Sequence, residues 1–250
     1  MSRRLHQSTL SKKGLFNPWT GLHPGLFWTM PVPIRLLADF EQNAFYHVIC
    51  KSIDCRDLFR CDANRVFYLN QYHNFISLVA DTFAYSLLTN HAHFLIRTKT
   101  IREINQHLIK IPNSRLSPTQ KRFLDANQID MFHELVEQQF NRLFISYVRN
   151  YNKIADQEGH LFLRPFKRIL VEDDSHLSHL IIYIHANPVK HNVTKNFATY
   201  PWSSYPLILS DDSTYIKRKE VLEWFGSREN FIAEHRDQIA YYYQHPNALE

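Results

Sequence analysis

His91 and His93 stand two apart in the stretch Leu87-Leu88-Thr89-Asn90-His91-Ala92-His93-Phe94-Leu95-Ile96-Arg97. Apolar residues flank a turn signal at Thr89-Asn90, so the stretch reads as a strand end, a tight turn and a second strand. Side chains on a strand alternate faces, which puts both imidazoles on one side and turns Ala92 and Phe94 towards the core. Two imidazoles held in this way suit a divalent metal ion, but they fill only part of its coordination shell. In a chain with 15 His the spacing by itself has little specificity.

The second stretch with chemistry in it is Ser175-His176-Leu177-Ser178-His179-Leu180-Ile181-Ile182-Tyr183-Ile184-His185-Ala186-Asn187-Pro188. Leu177, Leu180, Ile181 and Ile184 fall at i, i+3, i+4, i+7, the spacing of one apolar helical stripe. Asp173-Asp174-Ser175 supplies N-cap chemistry, and Pro188 predicts a helix end at Asn187. Tyr183 and Asn187 are one turn apart and flank the buried stripe on the same side. A phenol and an amide oxygen would then be presented together to an ion held by His91 and His93.

In order and separation these two motifs resemble those of the HUH single-strand transposases, in particular the REP-associated tyrosine transposases of the IS200-like type. The strand motif there is His-hydrophobe-His, and a downstream helix carries Tyr-Ile-x-x-Asn-Pro. Gly159-His160-Leu161-Phe162, Phe166-Lys167-Arg168 and Tyr200-Pro201-Trp202-Ser203-Ser204-Tyr205 extend the likeness, which runs over residues 45–207. Ala92 departs from it, because the family has a bulkier residue between the histidines. The resemblance implies that His91, His93 and Asn187 bind the metal and that Tyr183 is the nucleophile. It also implies a 5′-phosphotyrosine link to DNA with release of a 3′ hydroxyl, and a ferredoxin-like fold.

The chemistry is consistent with those roles. A phenol, with a pKa near 10, is a poor nucleophile until a metal polarises the scissile phosphate and shields its charge. Two nitrogens and one oxygen leave positions open for phosphate oxygens and water, so Mg2+ or Mn2+ is the expected ion. The expected activity is a metal-dependent single-stranded DNA endonuclease and strand transferase acting at hairpins. Two other classes stay open: a non-catalytic or domesticated nucleic-acid-binding protein on the same fold, and a hydrolase with water as nucleophile. A homodimer is compatible with this reading, which leaves open whether Tyr183 serves its own subunit.

The elements that must position these residues follow from patterning. Segments 44–52, 82–88, 91–98 and 161–171 read as strands, and 64–79, 101–109 and 132–155 as helices, the last ended by Gly159. Segment 112–127, with little periodicity, reads as an excursion without core. Strand, helix, strand, strand, helix, strand makes two split βαβ units: an α+β, ferredoxin-like antiparallel sheet with helices on one face. Residues 215–225 and 228–243 read as two further helices.

The division expected is a basic irregular arm over 1–34, with Arg3, Arg4, Lys12 and Lys13, a catalytic domain over 35–209 and a helical extension over 210–250. DNA contact is expected from Arg164, Lys167, Arg168 and Lys190, and base stacking from Trp202 and Tyr205. The balance of 29 basic against 24 acidic residues gives a net charge of +5, which is compatible with a polyanionic partner. With only 5 Gly and none of the phosphate-loop patterns, a phosphate-cradling glycine loop is not expected, nor is a nucleotide cofactor. Cys50, Cys55 and Cys61 form no Cys-x-x-Cys pair. No membrane span and no secretory leader are read, so the expected compartment is the cytoplasm, at the nucleoid when DNA is bound.

Overall fold

Val48, Ile49 and the aromatic pair Phe45-Tyr46 make β1 (Phe45–Lys51) a sheet-forming run. In a computed structural model that describes residues 36–156, 158–173 and 176–244, β1 is central to a four-stranded sheet. Its other strands are β2 (Ala80–Leu87), β3 (His91–Thr98) and β4 (Lys167–Val171), in the order β2-β3-β1-β4. Every neighbouring pair is antiparallel. With α1 (Asp62–Ile76) between β1 and β2, and α4 (Gln128–Ala155) between β3 and β4, this is the ferredoxin-like arrangement expected. The basic arm and the proposed capping residues Asp174 and Ser175 lie outside the described residues.

The pleat sorts the sheet into two faces. Tyr46, Val48 and Cys50 of β1 and Ala92, Phe94 and Ile96 of β3 turn to the side covered by α1 and α4, and all six are fully buried. There Tyr72 stacks on Phe94 at 4.2 Å between ring centroids, and Tyr68, Phe140, Phe144 and Tyr147 complete an aromatic layer. Tyr147 donates its hydroxyl proton to the Leu58 carbonyl, so its polar end is satisfied within the core. Fully burying each such ring contributes about 1.5–3 kcal/mol.

The opposite face carries Phe45, His47, Ile49 and Lys51 of β1, His91, His93 and Leu95 of β3, and Lys167 and Ile169 of β4. The two crossover helices leave it open. It is closed in part by α5 (Leu177–Lys190), which packs on β2 and β3. α7 (Arg218–Trp224) and α8 (Arg228–Gln244) cover the outer side of α5, so this helix is buried nearly all round rather than along one stripe.

Several boundaries differ from those expected. α5 runs through Pro188 to Lys190, with the His191 N–H on the Asn187 carbonyl at 2.9 Å. Pro188 costs the helix one hydrogen bond but is itself buried, and packing overrides the local preference. Segment 112–127 contains a helix, α3 (Pro118–Asp125), opened by a capping box between Ser117 and Gln120 with Pro118 in its first turn. A further helix, α2 (Ile101–Leu108), has the same device at Thr100 and Glu103. α4 ends at Asp156, whose φ of 48° is left-handed, and not at Gly159. The last strand is confined to Lys167–Val171, while Phe162 makes only an isolated bridge to Ser52.

Candidate active site

The hairpin between β2 and β3 closes at Thr89-Asn90, with the Leu88 N–H on the His91 carbonyl at 2.8 Å. β3 starts at His91, so both histidines belong to a strand paired on both sides and have little freedom to move. Their ring centroids are 5.0 Å apart. Tyr183 of α5 comes down onto them, with its ring edge-on to His93 at 6.0 Å and to His47 at the same distance. Asn187, one turn on, donates its side-chain N–H to the Tyr183 carbonyl at 2.8 Å, leaving its Oδ1 for another role. The strand motif and the helix motif therefore meet on one face of the sheet.

The hydrogen bonds settle which atoms remain available. His91 Nδ1 lies 2.7 Å from Asn90 Oδ1, which can only accept, so Nδ1 carries the proton and Nε2 the lone pair. His93 Nδ1 lies 2.9 Å from His47 Nε2. His93 Nε2 and Asn187 Oδ1 are buried with no protein hydrogen-bond partner, a costly state for polar atoms unless something else engages them. His91, His93 and Asn187 could offer a metal ion two nitrogens and one oxygen. Among the described residues no group of three or more His, Cys, Asp or Glu is placed to hold a metal ion, and two imidazoles with one amide carry no negative charge of their own.

The electrostatics favour an anion. Burial, then His191, Lys51 and Lys167, lower the pKa of His91 to about 3. His93 is held well below the usual range by burial first, and His47 is lowered to about 3 by burial and then Lys167. All three imidazoles are therefore neutral at physiological pH, the form that can ligate a metal. The charged groups acting on them are all cationic, and Lys190 adds an ammonium 5.9 Å from the Tyr183 ring centroid. A phosphodiester has the complementary charge.

The expected DNA-contacting residues do not form one surface. Lys167 is half-buried on the histidine face, opposite Ile49 in the register. Arg168, its neighbour, points to the other face, where it is 6% exposed, donates to the Ala38 carbonyl at 2.8 Å and pairs with Glu137. Arg164 is exposed but lies on the α4 side, hydrogen-bonded to Asn141 at 2.6 Å. Trp202 is half-buried beneath the Arg65 guanidinium, and its carbonyl accepts from the Leu87 N–H at 2.9 Å. Tyr205 opens a short helix, α6 (Tyr205–Leu209), and is buried against His185, Phe197, Phe231 and His235. Arg168 and Tyr205, expected at the DNA, are instead buried in contacts within the protein, which leaves neither side chain at the surface to meet it.

Three residues beside the site are not among those expected. They are His47 and Lys51 on β1, and His191, whose ring stands 4.8 Å from that of His91. The strand order would have found the first two. A ferredoxin-like sheet puts β1 beside β3, so alternate residues of β1 share the face of His91 and His93.

These features define an α+β protein in which a histidine pair on an interior strand faces a tyrosine and an amide on one helix. No family model matches the chain, and no curated protein matches it. Among solved structures the chain is similar to a REP-associated tyrosine transposase bound to a REP hairpin. The match covers 69% of this chain and 82% of that one, at 11% sequence identity and a TM-score of 0.45. A likeness of that size concerns the fold alone. No helix among the described residues is long and apolar enough to cross a membrane.

Proposed function

We propose that this protein is a metal-dependent endonuclease and strand transferase for single-stranded DNA, acting beside hairpins with Tyr183 as nucleophile. The observation that carries the reading is the Tyr183 ring against His93, beside two buried polar atoms, His93 Nε2 and Asn187 Oδ1, that make no hydrogen bond within the protein. His91, His93 and Asn187 would hold Mg2+ or Mn2+, which when bound supplies charge neutralisation at the scissile phosphate.

Lys51, Lys167 and Lys190 draw the DNA backbone onto the histidine face and orient the phosphate. Tyr183 loses its phenolic proton to solvent as its oxygen attacks phosphorus. The bond from phosphorus to the upstream 3′ oxygen breaks, and that oxygen takes up a proton. A 5′-phosphotyrosine and a 3′ hydroxyl result. Because the new ester keeps the phosphodiester bond energy, a second 3′ hydroxyl can reverse the step, and strand transfer needs no nucleotide. A DNA hairpin with single-stranded flanks is the substrate proposed, read through unpaired bases and duplex shape.

Incubation of the protein with such a hairpin and Mn2+, followed by denaturing electrophoresis, should trap a covalent adduct. Tyr183→Phe should lose it entirely while binding the hairpin as tightly as the wild type. Cleavage without an adduct would make water the nucleophile, and binding without cleavage would make the protein a binder. An adduct that persists in Tyr183→Phe would move the role to another tyrosine.

A further inference from the structure

His91 and His93 both engage Nδ1 with a neighbour and turn Nε2 to the site, but by different means. For His91 the neighbour is an amide oxygen, which fixes the direction of the proton. For His93 it is His47 Nε2, another imidazole nitrogen, at 2.9 Å with the two rings near parallel at 27°. Two directions are open. If His47 donates, His93 carries its own proton on Nε2, and no metal can bind there. If His93 donates, its Nε2 presents a lone pair, matching His91.

We infer that His47 is a positioning residue that accepts the Nδ1 proton of His93 and so fixes the tautomer in which His93 Nε2 faces the site. The inference rests on the metal reading of that site. The sheet sets the contact. Ile49 lies opposite His93 in the antiparallel register, and His47 is the diagonal neighbour on the same face, within reach of a long side chain. His47 is 1% exposed, so water does not compete for the bond. A neutral imidazole has the one lone pair needed to accept that proton. Outer partners of this kind usually orient a metal-bound histidine, and their loss costs about 10–100-fold in metal affinity.

Two measurements on the purified protein without DNA test this. Long-range 15N NMR of the metal-free protein should show His93 protonated at Nδ1, and His47→Phe should shift it to a mixture or to the Nε2 form. Calorimetric titration with Mn2+ should then show affinity about 10–100-fold weaker in His47→Phe. His47→Gln, whose amide oxygen can accept the same proton, should restore most of it. Thermal unfolding of each variant establishes that it is folded.

A His93 tautomer and a Mn2+ affinity both unchanged in His47→Phe would overturn the inference. So would a Gln variant as weak as Phe, since packing rather than the accepted proton would then be at work. Wild-type protein that shows the tautomer shift on mutation but binds no Mn2+ would sink the metal reading and leave the control of His93 standing.

Discussion

Lys167 and Arg168 are adjacent on β4, so the pleat sends their side chains to opposite faces of the sheet. The two should fail in opposite ways when truncated. Lys167→Ala should leave the melting temperature unchanged, weaken hairpin binding, and lower the slope of log affinity against log salt by about 1, the signature of one lost phosphate contact. Arg168→Ala should leave that slope alone. It removes the bond to the Ala38 carbonyl and the pair with Glu137 from a buried position, costing about 1–3 kcal/mol of stability. Salt titrations of binding and urea denaturation, run on both variants, give a two-by-two outcome. If Arg168→Ala changed the salt slope and Lys167→Ala did not, the assignment of faces to function would be reversed. Strand alternation alone makes this distinction legible in the sequence. Grouping residues by charge and nearness in the chain hides it.

At the scale of elements, α5 is joined to its neighbours on both sides by a chain of hydrogen bonds whose direction can be read from one end. His235 of α8 donates Nδ1–H to the Phe231 carbonyl at 2.7 Å, which leaves its Nε2 to accept from His185 Nδ1 of α5 at 2.8 Å. His185 Nε2 then accepts from the Ser204 hydroxyl at 2.8 Å, and Ser204 Oγ accepts the Tyr85 N–H of β2 at 2.9 Å. The chain needs both imidazoles neutral. Burial first holds His185 well below its ordinary 6.5, and burial likewise brings His235 to about 4. Unfolded, both take up protons below pH 6.5. Stability is therefore full above that pH and falls as the pH drops towards 4, by about 1.4 kcal/mol per pH unit for each histidine. His235→Gln should lower stability at pH 7.5 and flatten the dependence between pH 6.5 and 4, measured as the urea midpoint. An unchanged slope would mean that His235 does not titrate in this window. None of this relay was legible locally. His185 reads as one residue of an apolar helix, and its partners come from distant segments that only the tertiary fold assembles. β3 shows the opposite case: a turn signal followed by strict alternation sets its bounds and both of its faces, and the strand found is 91–98 as read. α3 lies between the two. Its capping box is visible at Ser117 and Gln120, but eight residues carry too few apolar positions for a period to show.

For the whole molecule, what matters is that α5 is held between the sheet and α7 and α8, with Tyr183 set against His93 and His47 of the same chain. Under the proposed function one polypeptide then contains nucleophile, metal ligands and basic groups together. The neutral ligand set among lysines also ties the two substrates of the site to each other. A cation is poorly attracted until a phosphate arrives, so hairpin DNA should raise Mn2+ affinity and Mn2+ should raise hairpin affinity by the same factor, as linkage requires. Paired titrations check this, and a Mn2+ affinity that excess hairpin leaves unchanged would show that the two are not coupled at one site. The clamped helix has a genetic consequence as well. If Tyr183 were exchanged between subunits, mixing a Tyr183→Phe chain with a His93→Ala chain would rebuild one intact site from two dead ones. With the tyrosine pinned to its own sheet, the mixture should stay inactive at any ratio, and neither lesion should complement the other. An inactive copy expressed beside an active one should then compete only for DNA, so its effect should fade as hairpin is added in excess.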